Sequence, residues 1–262
     1  MLECVINVSE GCAGAPLDAI TAAAGEELLD RHSDEHHNRS VLTLAGEDVE
    51  AAARRVARAT VEHLDLRDHQ GAHPRIGVLD VVPFVPLTGS TLDDAVTARN
   101  WFAAWAGETL GVPCFLYGPQ RPLPAVRRGA FTDFAPDTGP AQPHPSAGAC
   151  AVGARGVLVA YNLWLADSTL DDARRLASEV RGTWVRALGL AVGDHVQVSM
   201  NLVSPLDVGP AAVYDAVAAR AQVARAELVG LVPRAVLADT AQTRWAQLDL
   251  DEGRTIEARL GG

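Results

Sequence analysis

The stretch Asp68 to Phe84, DHQGAHPRIGVLDVVPF, gathers His69, Gly71, His73, Pro74 and Arg75 immediately before an apolar run. Imidazole ordinarily titrates near ~6.5, so it can take and return a proton at neutral pH. The i, i+4 spacing of His69 and His73 would set two metal ligands on one face of a helix. Gly71 and Pro74 oppose a helix, because proline disfavours the α region for the residue before it and leaves His73 extended. The segment reads as a turn entering a strand. His73 is fixed by Pro74 and can be approached closely at Gly71. That placement suits proton transfer; a solvated polar turn is the plain alternative.

Three further stretches carry polar chemistry. DRHSDEHHNRS, Asp30 to Ser40, holds His32, His36 and His37 among three acids. It reads as a metal site or as a solvated loop, and the assignment made here is no metal. Asn38 and Arg39 stand at the start of SVLTLAG, where a strand can aim them inward. DTGPAQPHPSAGACAVGAR, Asp137 to Arg155, is rich in small residues and proline. It is either a rigid loop with exposed N–H groups and room for a flat ligand, or a linker. HVQVSMNL alternates: Val196, Val198, Met200 and Leu202 point one way, His195, Gln197, Ser199 and Asn201 the other. GxGxxG, Walker, GxSxG, HExxH and Cys–His signatures are all missing.

The elements that must position these residues follow from periodicity. LECVINV reads as a strand, Leu17 to Glu27 as a helix, and the residues around the histidine cluster as two strands. From Asp48 to Leu64 an apolar stripe, interrupted only by Thr60, marks an amphipathic helix. IGVLDVVPFVPL is a near-continuous apolar strand, as expected for burial on both faces. Leu92 to Leu110 is a helix and VPCFLYG a strand. Residues 119 to 150 hold Pro119, Pro122, Pro124, Pro136, Pro140, Pro143 and Pro145 and read as an irregular, stiff connection. The theme then returns: GVLVAYNLWLA a strand, Thr169 to Arg181 a helix, VRALGLAV and HVQVSMNL strands, Pro210 to Ala224 a helix, AELVGLVP a strand. The fold class is therefore α/β (α+β): two split βαββαβ subdomains, residues 1–155 and 156–262, with facing sheets enclosing a crevice.

A net charge of −11 argues against nucleic-acid and anionic membrane partners, since both need a basic footprint. Four scattered cysteines read as reduced thiols. The start of the chain lacks a basic-then-apolar leader pattern, and no apolar run approaches the ~18 residues of a membrane span. A cytoplasmic protein is expected.

The segments ECVINVSEG, HNRSVLTLAG, HQGAHPRIGVLDVVPFVPL, VPCFLYG, LPAVRRGAF, APDTGP, GACAVGAR, VAYNL, VQVSMNL and LVGLVP occur in the order found in glutamate formiminotransferases. The chain resembles that family from Glu3 to Pro233, and HQGxHPR–LDVVPF is the most specific part. The resemblance implies formimino transfer from N-formimino-L-glutamate to tetrahydrofolate as co-substrate, without a metal, by a homodimer. It places the catalytic histidine at His73. The folate-binding segment falls at Gly139, Pro140, Ala141, Gln142, Pro143, His144, Pro145, Ser146, Ala147 and Gly148. Both substrates carry glutamate carboxylates, so Arg39, Arg75 and Arg155 are candidate clamps, with Asn38, Asn162 and Asn201 as polar lining. Two departures stand out. His32 replaces an aspartate expected to orient the catalytic histidine, which predicts a lowered pKa for His73. Ala147 stands where the family carries tryptophan, which predicts a missing aromatic wall. The alternatives are a relative acting on another amide or amidine and a non-catalytic binder of a folate-like ligand.

Overall fold

A computed structural model describes residues 1–261 and divides into two compact units, the first being Met1–Arg155 and the second starting at Gly156. In the first, β1 (Leu2–Val8), α1 (Ala15–Ala22), β2 (Leu28–Asp34), β3 (Arg39–Gly46), α2 (Val49–His63) and β4 (Leu79–Pro86) form a split βαββαβ motif. It is followed by α3 (Leu92–Trp105), β5 (Cys114–Tyr117), α4 (Leu123–Gly129) and β6 (Cys150–Ala154). The sheet runs β2-β3-β1-β4-β6-β5. Its first four strands pair antiparallel, whereas β6 lies parallel to both β4 and β5.

The second unit comprises β7 (Val159–Leu165), α5 (Leu170–Val180), β8 (Val185–Val192), β9 (His195–Leu202), α6 (Pro210–Ala218) and β10 (Val223–Val229), then the short helices α7 (Arg234–Ala238) and α8 (Ile256–Arg259). Its sheet order, β10-β7-β9-β8, is the same permutation as β4-β1-β3-β2. The expected strand–helix–strand–strand–helix–strand order thus holds in both units.

Alternation of the strand residues decides which face is covered. Cys4, Ile6 and Val8 of β1, Leu42 and Leu44 of β3, and Val82 and Phe84 of β4 meet Ala52, Ala53, Val56 and Ala57 of α2 in one buried core. Thr60, the polar residue on the α2 stripe, is buried too, and its hydroxyl donates to the Val56 carbonyl at 2.8 Å. In the second unit Val196, Val198, Met200 and Leu202 pack with Leu176 and Ala177 of α5 and with Val213 and Val217 of α6. Gly189 of β8 lets α5 approach, since a Cβ there would lie 2.3 Å from the Arg174 nitrogen. Helices α3 and α5 both begin with capping boxes, Thr91 with Asp94 and Thr169 with Asp172.

Three elements depart from expectation. The proline-rich stretch contains α4, which starts with Pro124 in its first turn. GACAVGAR contains β6, whose alanines and glycine have little strand propensity. Gly153 is needed there because the Tyr117 ring would lie 2.1 Å from any Cβ. The helix expected to reach Ala224 ends at Ala218, and β10 starts at Val223.

Leu176 is fully buried and Leu188 is exposed. Leu176→Ala is expected to cost about 2–5 kcal/mol of unfolding free energy, and Leu188→Ala no more than about 0.5 kcal/mol, as measured by urea denaturation.

Candidate active site

The site of the first unit begins with an irregularity in β4. Val8 pairs with Leu79 and Asn7 with Val81, so Asp80 is an extra residue, a β-bulge against β1. Strict alternation from Val82 and Phe84 would send Asp80 into the apolar core. The bulge turns it instead to the sheet face opposite α1 and α2, where Arg39 begins β3. There Arg39 Nη1 donates to Asp80 Oδ2 at 2.6 Å, while its Nε and Nη2 donate to Asn7 Oδ1 at 3.2 and 2.9 Å. Arg127 of α4 donates to the same carboxylate, at 2.6 Å to Oδ2 and 3.3 Å to Oδ1. The Ile76 N–H supplies a fourth hydrogen bond at 2.8 Å. Asp80 is wholly buried. Burial alone would raise its pKa, but Arg39 and Arg127 outweigh burial and hold it at about 2. One carboxylate between two guanidiniums leaves the cluster one positive charge in excess.

His73 lies in the loop before β4. Its Nδ1 is 2.8 Å from the Pro74 carbonyl oxygen, which can only accept, so Nδ1 carries the hydrogen and Nε2 is left with its lone pair. Burial, then Arg39 and Arg127, push its pKa down to about 3, against the opposing effects of the Pro74 carbonyl and Asp80. The lowering is as expected in direction, and its largest cause is burial, followed by Arg39 and Arg127. The His37 ring packs edge-on to His73, with centroids 6.1 Å apart. His37 is buried, so it is not part of a solvated loop. Among the described residues no three of His, Cys, Asp or Glu are grouped to hold a metal ion.

Asn38 and Arg75 hold the loop together. Asn38, at φ 46, accepts from the Gly11 N–H at 2.8 Å and donates to His69 Nδ1 at 2.9 Å and to the Gln70 carbonyl at 2.8 Å. Arg75 donates to the His73 carbonyl from Nε (3.0 Å) and Nη2 (2.7 Å), and to the His37 and Asn38 carbonyls at 3.1 and 3.4 Å. These bonds brace the loop that carries His73. Gly71 belongs to the same knot, where an added Cβ would lie 2.5 Å from the His37 carbonyl oxygen.

The segment from Gly139 to Gly148 divides in two. Pro140, Ala141, Gln142 and Pro143 are exposed, and Ala141 and Gln142 line a hollow of about 260 Å³ with residues 131–136. Gly139 packs on Gly107, where a Cβ would lie 2.6 Å from backbone. His144 Nδ1 accepts from the Ser146 and Ala147 N–H groups at 3.3 and 3.0 Å, and Pro145 between them is exposed. Ser146 and Ala147 give their carbonyls to Leu66 and Val78 at 2.7 and 3.0 Å, and Gly148 pairs with His144. Ala147 is buried in the helix-side core. Its small size suits that packed position.

Arg155 follows Ala154, the partner of Phe84, and its side chain hydrogen-bonds the Tyr117 hydroxyl. In the second unit Asn162 is buried and donates to Glu227 Oε2 at 3.1 Å, an oxygen that Trp164 Nε1 also reaches at 2.8 Å. Asn201 is exposed on β9. Sequence reasoning missed Asn7, Asp80, Arg127 and His37 as members of the site. The signal for Asp80 was a single acid inside an apolar strand, because a buried charge must be paired.

Fold and site together define a split βαβ protein with an imidazole beside a buried arginine–carboxylate cluster. Residues 1–155 match the family described as formiminotransferase domain, N-terminal subdomain. The chain is 36% identical over 289 residues to the glutamate formimidoyltransferase of Streptococcus pyogenes serotype M1, covering 98% of this chain and 97% of that one. It is 34% identical over 297 residues to the glutamate formimidoyltransferase of Thermoplasma acidophilum, covering 99% and 97%. Against the formimidoyltransferase-cyclodeaminase of Sus scrofa it is 36% identical over 280 residues, covering 92% of this chain and 52% of the relative. The chain belongs to the formiminotransferase family, and it spans about half the length of the bifunctional relative.

Acid should loosen this site. His69, lowered to about 4 by burial and then by Arg75 and Arg39, and His73, lowered to about 3, both take up protons near 6.5 once unfolded. Between those values the unfolded chain binds more protons, so stability falls as pH drops from 6.5 toward 3. Asp80 adds a loss below 3.8 as its carboxylate is protonated. Urea midpoints at pH 7 and pH 5 should differ in the native chain, and the difference should shrink in the His73→Gln variant.

Proposed function

We propose that this protein transfers the formimino group of N-formimino-L-glutamate to tetrahydrofolate, with His73 moving the protons. The observation that carries the reading is the tautomer of His73. With Nδ1–H tied to the Pro74 carbonyl, Nε2 is the one ring atom open to accept a proton.

The substrate amine attacks the formimino carbon and must shed a proton; the departing glutamate nitrogen must gain one. A single imidazole serves both needs by taking the proton on Nε2 and delivering it as the old C–N bond breaks. Burial and two neighbouring guanidiniums make the imidazolium a strong acid, ready to give up that proton. The excess positive charge of the Arg39–Asp80–Arg127 cluster favours an anionic substrate, and both proposed substrates carry carboxylates. In this reading Arg39, Arg75 and Arg155 are the candidates for carboxylate contact. The exposed part of the Gly139 to Gly148 segment, Pro140 to Pro143, faces the folate, and Asn162 and Asn201 line the substrate. The protein works in the cytoplasm as a homodimer and without a metal.

A coupled assay with formiminoglutamate and tetrahydrofolate tests this directly. The native protein should turn over, and His73→Ala should lose on the order of 10²–10⁴ in rate with an unchanged circular dichroism spectrum. Activity surviving in the folded His73→Ala protein would remove His73 from the mechanism. Folate binding without turnover would identify a binder, and turnover of a different amidine alone would identify another substrate.

A further inference from the structure

Arg127 stands on α4, seven residues from a stretch that reads as irregular connection, yet it ends on the atom that holds the catalytic ring. Its Nη1 donates to the Pro74 carbonyl oxygen at 2.9 Å, and His73 Nδ1–H donates to the same oxygen at 2.8 Å. A carbonyl oxygen has two lone pairs, so both donors are accommodated. The same Nη1 also reaches Asp80 Oδ1 at 3.3 Å, Nη2 donates to Asp80 Oδ2 at 2.6 Å, and Asp80 is fixed in turn by Arg39 at 2.6 Å and by the Ile76 N–H at 2.8 Å. A planar, two-pronged cation held this way cannot shift without carrying the carbonyl with it.

Resting on the reading that His73 moves the protons, we propose that Arg127 is its positioning residue. The guanidinium anchors the Pro74 carbonyl and thereby keeps the imidazole in the Nδ1–H tautomer, with Nε2 presented as the base. Lysine, a single charged point on a flexible stem, cannot span carbonyl and carboxylate in this way.

The charges around the ring make the role testable apart from catalysis. Arg39 from β3, Arg127 from α4 and Asp80 from β4 act on His73. The His37 ring packs on it from the β2–β3 turn, and Arg75 of its own loop ends on its carbonyl. Removing Arg127 takes away one of the two guanidiniums that hold the ring's pKa down and releases the carbonyl from its grip.

The experiment is side-chain nitrogen NMR of the ligand-free full chain, followed against pH for the native protein, Arg127→Gln and Arg127→Lys. In the native protein His73 should stay neutral with its hydrogen on Nδ1 down to about pH 5. In Arg127→Gln the ring should show mixed tautomers and titrate about one unit or more higher, the effect of losing a close like charge. Arg127→Lys should restore the low midpoint but leave the tautomers mixed. A folded Arg127→Gln protein whose His73 keeps the single Nδ1–H tautomer and the native midpoint would overturn the proposal. Should the glutamine variant not fold, the lysine variant decides: mixed tautomers support the role, a fixed Nδ1–H tautomer overturns it. No substrate is present, so a chain that fails the transfer assay yet behaves as expected here loses its proposed function and keeps the positioning role.

Discussion

A carboxylate removed from water without partners either takes up a proton or disrupts the structure around it. Asp80 does neither, because two arginines and a backbone N–H supply four hydrogen bonds to its two oxygens. Those partners come from separate parts of the first unit: Arg39 from the third strand, Arg127 from the short fourth helix, Ile76 from the loop leading into Asp80's own strand. The charge therefore fastens together β3, α4 and the loop before β4 on the sheet face opposite α1 and α2. The ring of His73 inherits its place from this arrangement, since the carbonyl beside it is gripped by one of the same arginines. The bulge in β4 is the geometric condition for all of it: without the extra residue, Asp80 would face the helices and no pairing would form.

Much of the fold was legible because each unit has a clean division between apolar and polar positions. In β9 the four apolar residues all point to the helices, and the stripe on α2 fits its core with only Thr60 needing a local hydrogen bond. The misses have local causes. Strand β6 is five residues long, two of them alanine and one the glycine that makes room for Tyr117, so its sequence carries little strand preference. Helix α4 is too short for a periodic stripe, and its prolines read as disruption although one of them sits where a helix start favours it.

The site was legible to the extent that its chemistry is written in residue type. A histidine directly before proline and two residues after glycine is conspicuous, and His73 was singled out on that basis. Asp80 and Arg127 were not, because the first is embedded in an apolar run and the second in a proline-rich one. Their meaning arises only when the fold brings them within hydrogen-bond distance. Arg75 was singled out for its charge, and its donors end on backbone carbonyls, partners that no side-chain pattern announces. Ala147, singled out for its small side chain, is packed into the core of the unit.

Asn38 combines two demands that rarely coincide. Its backbone occupies the left-handed region, which disfavours branched and bulky side chains. Its amide must present an acceptor to Gly11 and a donor to both His69 and Gln70. Glycine satisfies the first demand and supplies no side chain for the second. Aspartate tolerates the backbone but offers no hydrogen to give. Glutamine has the right amide, one carbon too far out. Of the twenty amino acids, asparagine alone answers both requirements, so chain geometry and bonding polarity together reduce the alphabet at this corner to a single letter.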